Sequence, residues 1–262
     1  MSPENFNRKA IMGNQIRPVK PGSAMTLSRI KTHVRGFDDA LSGGLPEGYV
    51  TLVSGAPGTM KSSFCFSILY QNALQEGRKS AYFTLEQGKD ILLEHMHELG
   101  FTDEKAFKNL LILDMGAVRK NLNFLKARGT WIDLFKMYAS NFMKAEKISL
   151  LVVDSLEVME TMAKFQDRRS DMYYLFDWLR DLGTTSLIIT ENPVETPPVG
   201  HYPEEAYLAD GIIQLGLHPT TDLYVQRRLR CMKMRSTKHE TGFYALTFDD
   251  GAFEVTRAVS GD

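Results

Sequence analysis

From Gly48 onward, short apolar runs alternate with longer stretches whose apolar residues return every three or four positions. A chain with that alternation buries a mostly parallel sheet between helices, because a parallel neighbour is reached only by a crossover long enough to hold a helix. Five runs have strand length: Tyr49–Ser54, Ser80–Leu85, Leu110–Leu113, Ser149–Val153 and Ser186–Thr190. Their unbroken apolarity predicts strands covered on both faces. Trp131, Phe135, Tyr138 and Phe142 fall on one helical stripe, and Met172, Leu175, Phe176, Leu179 and Leu182 on another. After Pro198 the rhythm becomes strand, turn, strand over Gly211–Leu217, Leu223–Met234, Phe243–Phe248 and Ala252–Val255, which predicts antiparallel strands at one edge of the sheet. The stretch from Glu191 to Glu205 holds four prolines and little apolar content, and reads as a surface loop.

Composition limits the function classes. With 262 residues, 43% of them hydrophobic, the chain can bury a large core without staples. No apolar run approaches the ~20 residues of a membrane span, and the first residues form no secretory core. The two cysteines, Cys65 and Cys231, have no metal-ligand spacing, which points to packed thiols in a reducing, cytoplasmic setting. Charge is uneven within a net of −1. Residues 1–35 carry seven basic residues against Glu4 alone, leaving 24 basic and 31 acidic residues for the remainder. The expected organisation is therefore a basic, flexible arm over residues 1–29 followed by one domain over 30–262, the arm free to touch an acidic partner or a neighbouring subunit.

The segment that carries chemistry is Gly55-Ala56-Pro57-Gly58-Thr59-Met60-Lys61-Ser62, directly after a strand and before a helix. It nearly matches the phosphate-binding pattern G-x-x-x-x-G-K-[ST]. Small residues let backbone N–H groups wrap a polyphosphate, the helix offers its positive end, Lys61 neutralises phosphate charge and Ser62 coordinates magnesium, with Ser63 beside it. The other reading is a glycine-rich connection with no ligand. Met60 stands where the pattern has glycine; if that position needs a positive φ, its side chain costs on the order of 1 kcal/mol. Binding should survive that cost, and turnover is the function at risk.

Two acids fit beside that loop. Asp154 follows the apolar strand residues Leu150 to Val153, at the strand end where open α/β sheets bind ligands, and is the candidate magnesium-side carboxylate through a coordinated water. Helix capping would use the same residue. Glu86 closes another strand and is the candidate base for an attacking water, or else a solvated helix-start glutamate. Near the C-terminus, Arg227, Arg228, Arg230, Lys233, Arg235 and Lys238 place six cations in twelve residues, which suits either phosphate chemistry or a solvated edge strand that resists pairing. No [NT]-K-x-D motif marks a GTPase. Leu41-Ser42-Gly43-Gly44 precedes the phosphate loop, so it is not the signature of a transporter ATPase.

Taken with Val34-Arg35-Gly36-Phe37-Asp38-Asp39-Ala40-Leu41 and Gly43-Gly44-Leu45-Pro46-Glu47-Gly48, these motifs resemble the RecA superfamily, most closely its KaiC-like branch, over roughly Ile30 to Val255. The resemblance implies a RecA-like P-loop core and an ATP- and Mg2+-dependent ATPase assembled as a ring, a hexamer by family expectation, with nucleotide at subunit boundaries. It matches Lys61 and Ser62 to the phosphate lysine and magnesium hydroxyl, Asp154 to the Walker B carboxylate and Glu86 to the catalytic glutamate. KaiC proteins often carry two glutamates there; here the second position is Gln87. Lys233 and Arg235, within Lys233-Met234-Arg235-Ser236-Thr237-Lys238-His239, match a strand that reaches the adjacent subunit's nucleotide, His239 less closely. Thr190 or Asn192 would sense the terminal phosphate. Ser170 is a loosely placed phosphorylation candidate or a helix cap, and KaiC's two fused ATPase domains exceed what one domain here can hold.

Two rivals stand beside an ATP hydrolase. Met60 and Gln87 both depart from the pattern, so a non-hydrolysing, ATP-dependent assembly protein fits too, with room for a protein partner. A recombinase-like DNA binder is disfavoured, because the 193–205 loop carries Glu195, Glu204 and Glu205 and no lysine or arginine.

Overall fold

The computed structural model describes residues 27–118, 130–192, 194, 202–221 and 223–258. Most of the basic arm read from the sequence lies outside them. Nine strands form one sheet: β3 (Val50–Ser54), β4 (Ser80–Thr84), β5 (Leu110–Asp114), β6 (Leu150–Asp154), β7 (Thr185–Thr190), β8 (Gly211–Pro219), β9 (Val225–Met234), β10 (Tyr244–Asp249) and β11 (Ala252–Arg257). They lie in the order β11-β10-β9-β8-β3-β7-β6-β4-β5, parallel from β8 to β5 and antiparallel from β8 through β11. A two-stranded ribbon, β1 (Arg29–Ile30) with β2 (Leu45–Pro46), precedes them.

The continuous apolar runs behave as two-faced strands. In β3, Val53 packs into one core and Val50 and Leu52 into the other; in β6, Leu150 and Val152 face one way and Leu151 and Val153 the other. The first core is roofed by α2 (Lys61–Gln75), with α3 (Lys89–Glu98) and α4 (Glu104–Phe107) beside it; α1 (Phe37–Ala40) buries Phe37 there as well. The second is covered by α5 (Trp131–Glu146), α6 (Leu156–Ala163), α7 (Arg168–Asp181) and the short α8 (Glu204–Leu208). Helix α5 starts on a capping box, in which Thr130 Oγ1 accepts from Asp133 N–H and Asp133 Oδ2 accepts from Thr130 N–H. Its buried side is Phe135, Ala139 and Met143, with Trp131 and Phe142 packed partly buried against the same core; of the stripe read from the sequence, Tyr138 alone is exposed.

Other departures are local. Glu204 and Glu205, expected in the loop, begin α8, and β9 starts at Val225 rather than Leu223. The glycine-rich turn at 43–44 has a backbone role: a Cβ on Gly44 would lie 2.3 Å from the Ile30 carbonyl oxygen, and φ there is +120°. Arg29 Nη1 ties this turn by donating to the carbonyls of Leu41 and Gly44. Both cysteines are buried free thiols, and no helix among the described residues is long and apolar enough to cross a membrane.

The layer under α2 is aromatic. Phe66 is fully buried and its ring meets Tyr70, Tyr82, Phe101 and Phe107. Removing a ring that four others surround leaves a cavity they cannot close. Phe66→Ala should therefore cost about 3–5 kcal/mol, read as a lower urea midpoint with an unchanged slope.

Candidate functional site

Parallel register brings the chemistry to one rim. Ser54 sits opposite Thr190 and Gln214, and Thr84 opposite Asp154 and Asp114, so these strands end together and the segments after them converge. Gly55 continues β3 where there is no room for a side chain: a Cβ would lie 2.4 Å from the Leu215 carbonyl oxygen. Gly58 has φ +82°. Lys61, the first residue of α2, is buried and its Nζ donates to the Ala56 carbonyl at 3.2 Å, while Thr59 Oγ1 donates to the same carbonyl at 2.8 Å. The loop closes on itself around the lysine.

Met60 occupies the left-handed region, at φ 71° and ψ 30°. The position does require the backbone that glycine gives without strain, as the motif suggested. Its side chain packs against the aromatic core under α2. That contact offsets part of the strain.

Asp154 ends β6 as a buried carboxylate. Burial pushes its carboxyl up from the ordinary range; hydrogen bonds from Tyr82 and Ser62 pull it back, Glu86 raises it and Lys61 lowers it. Tyr82 OH donates to Oδ2 at 2.5 Å. The next helix is capped at Ser155, so capping does not account for Asp154. The Asp154–Ser155 peptide is cis. A hydroxyl and a carboxylate side by side, both hard oxygen donors, form a set that suits Mg2+.

Glu86 lies two residues beyond β4 and is exposed. The acid facing it was not read from the sequence. Glu191, one residue beyond β7, shares a hydrogen bond with Glu86. That bond, ahead of burial and of repulsion from Glu86 and Glu157, raises the Glu191 carboxyl above its ordinary range. Glu157 Oε1 organises the neighbouring turn, accepting from Thr190 Oγ1 at 2.5 Å, Glu191 N–H at 3.0 Å and Asn192 Nδ2 at 3.3 Å. Thr190 and Asn192 thus answer to α6. Ser170 is neither cap nor rim residue: Asp167 holds the N-cap position of α7, and its Oδ2 accepts the Ser170 hydroxyl at 2.7 Å.

The basic strand divides in two. Because β9 runs antiparallel to β8, Arg227 lies at the phosphate-loop end, where its Nε approaches the Gly58 carbonyl at 3.5 Å. Lys233 pairs with Ile212 and Arg235 follows the strand end, toward the opposite end of the strands. Eight residues of strand separate Arg227 from Arg235, about 25 Å. Neither Lys233 nor Arg235 reaches its own chain's loop. Lys233 Nζ donates to the carbonyls of Ala206 and Tyr207 at 2.9 and 3.2 Å, and Arg235 donates to Asp210 Oδ1 at 2.7 Å and Tyr207 O at 3.0 Å. Burial, then repulsion from Arg235, lowers Lys233 to about 8. His239 Nδ1 lies 3.0 Å from the Thr237 carbonyl, in the segment packed on the glycine-rich turn.

The sequence profile described as "ATPase: KaiC" matches residues 30–260. This chain belongs to the KaiC ATPase family. It is a KaiC-like P-loop ATPase of the RecA superfamily, with the parallel core and antiparallel edge expected of that fold. The circadian clock oscillator protein KaiC of Synechococcus elongatus is 26% identical over 236 residues, covering 87% of this chain and 44% of that protein. This chain spans less than half the length of that clock protein. A UPF0273 protein of Aeropyrum pernix is 32% identical over 225 residues, covering 81% of this chain and 87% of the relative. Among solved structures, the KaiC-like protein PH0186 of Pyrococcus horikoshii superposes with a TM-score of 0.73 at 26% identity, covering 88% of this chain and 99% of that one.

The Met60 backbone yields a test that needs no ligand. Alanine keeps the left-handed strain and loses the packing; glycine loses the same packing and removes the strain. Met60→Gly should be about 1 kcal/mol more stable than Met60→Ala in urea unfolding.

Proposed function

We propose that this protein binds ATP with Mg2+ at Gly55–Ser63 and hydrolyses it slowly, in a ring where each nucleotide lies between two copies. The observation that carries the reading is the separation along β9. Lys233 and Arg235 stand toward the end of the strands opposite their own phosphate loop, and in this reading they serve a triphosphate across a boundary.

In this reading the amides from Gly55 to Ser63 cradle the phosphates at the start of α2, and Lys61 leaves the Ala56 carbonyl for the phosphate oxygens. Ser62 and, through water, Asp154 would hold Mg2+, which supplies neutralisation of phosphate charge when bound. Tyr82 keeps Asp154 oriented. Glu86 accepts the proton of the attacking water. Lys233 and Arg235 of one copy stabilise charge on the phosphates held by the next.

Phosphate release in Mg-ATP tests the enzyme reading. Lys61→Ala should abolish nucleotide binding, and Glu86→Gln should bind normally but release phosphate at least ~100-fold more slowly. Background release by the unaltered protein, with nucleotide bound and a larger mass in Mg-ATP, would replace this reading with the non-hydrolysing assembly protein.

The acid pair predicts a pH dependence. Glu86 works as a base only when ionised, so turnover should climb through the acid limb, and Glu191, whose carboxyl its hydrogen bond with Glu86 raises above the ordinary range, is the neighbour placed to move that limb. The amide of Glu191→Gln keeps a donor toward Glu86 and brings no second negative charge beside it. The acid limb of kcat should then move to lower pH, and an unmoved limb would separate the two acids functionally.

A further inference from the structure

Helix α8 has five residues, too few to hold itself together by its own hydrogen bonds. Cations hold it from outside at both ends. At its start, Arg168 Nη1 donates to Glu204 Oε2 at 2.5 Å and Nη2 donates to Glu205 Oε2 at 2.9 Å. The same guanidinium forks onto Glu160 of α6, through Nε to Oε2 at 3.0 Å and Nη2 to Oε1 at 2.9 Å. Glu205 is fully buried and its Oε1 has no hydrogen-bond partner among the described residues, where Arg168 carries its compensation. At the other end, the carbonyls of Ala206 and Tyr207 receive Lys233 and Arg235, and that of Leu208 receives Arg180.

Two functions meet in this arrangement. Helix α6 begins just after Asp154–Ser155, and its Glu157 holds Thr190, Glu191 and Asn192 at the chain's own rim. One turn further along α6, Glu160 is held by Arg168, which fixes the seat of Lys233 and Arg235. We propose that Arg168 is a positioning residue for hydrolysis at the neighbouring copy's site: it fixes α8, whose carbonyls fix Lys233 and Arg235. The inference rests on the ring reading above. Arg168 touches no nucleotide in it; its effect passes through the two cations to the adjacent subunit.

Complementation between subunits tests this. Arg168→Gln should bind a fluorescent ATP analogue at its own loop with unchanged affinity yet lose at least ~10-fold in phosphate release. Co-assembled one to one with Lys61→Ala, which has a dead loop but sound fingers, it should recover activity, because random mixing gives about a quarter of the interfaces a working loop facing working fingers. Arg235→Ala mixed with Lys61→Ala is the control and should recover equally. If the control recovers and the Arg168→Gln mixture does not, the proposal is overturned and the ring reading stands. If neither recovers, the ring reading falls and the proposal falls with it. Should Arg168→Gln fail to fold by thermal melt, Arg168→Lys enters the same mixture. It keeps the charge but not the fork, so the same recovery is expected of it, and none, with the control recovering, again overturns the proposal.

Discussion

A carboxylate shut away from water at the end of a buried strand is costly unless something bonds to it. Asp154 is tolerated because Tyr82 and Ser62 bring hydroxyls to it, and those two residues belong to β4 and α2. The contact therefore ties three elements at one point: the strand carrying the acid, its sheet neighbour, and the helix that starts in the phosphate loop. The aromatic layer beneath α2 sets the depth of that helix, with Tyr82 contributing its ring to the layer and its hydroxyl to the acid. Packing and chemistry share a side chain. A shift of α2 would uncouple Ser62 from Asp154 at the same time as it opened the core.

Much of the fold was legible because its signals are local. Unbroken apolar runs such as Leu150 to Val153 become strands covered on both faces, and polar alternation after residue 210 becomes the antiparallel edge. Proline content, however, hid α8: Pro203 stands immediately before it, and its acids are held by Arg168, thirty-five residues or more away in sequence. Short helices of this kind are made by tertiary contacts, which propensity does not see. In α5 one residue of the aromatic stripe, Tyr138, stands exposed, since aromatic residues mark a face without saying which part of it the sheet covers.

The candidate site was legible where one motif contains its own geometry. Gly55 to Ser62 is such a case, including the backbone demand at position 60, because strand, turn and helix follow each other directly. It was illegible where separate strand ends meet. Glu191 faces Glu86 only because β7 and β4 flank β6 in register, and nothing between residues 86 and 191 announces it. The second acid that Gln87 lacks in sequence thus has a counterpart in space. Likewise, the six cations after residue 226 read as one cluster, whereas strand direction sends Arg227 to the phosphate loop and Lys233 with Arg235 toward the other end of the strands.

That division bears on how one chain would serve two nucleotides. A strand is stiff along its length, and β9 is paired along most of it to β8, which is itself bonded to β3 beside the phosphate loop. A displacement at the loop end is therefore carried toward the other end of the strands with little loss, while α6 offers a second route through Glu157 and Glu160. Two connections of different kinds would join the same pair of sites: a sheet that moves as a body, and a chain of charged side chains that can rearrange. The first resists change and the second permits it. In the ring reading, then, the strands would carry a displacement as a rigid body while the α6–Arg168–α8 contacts would let the cations offered to the next site rearrange, so occupancy at one site can act through both connections.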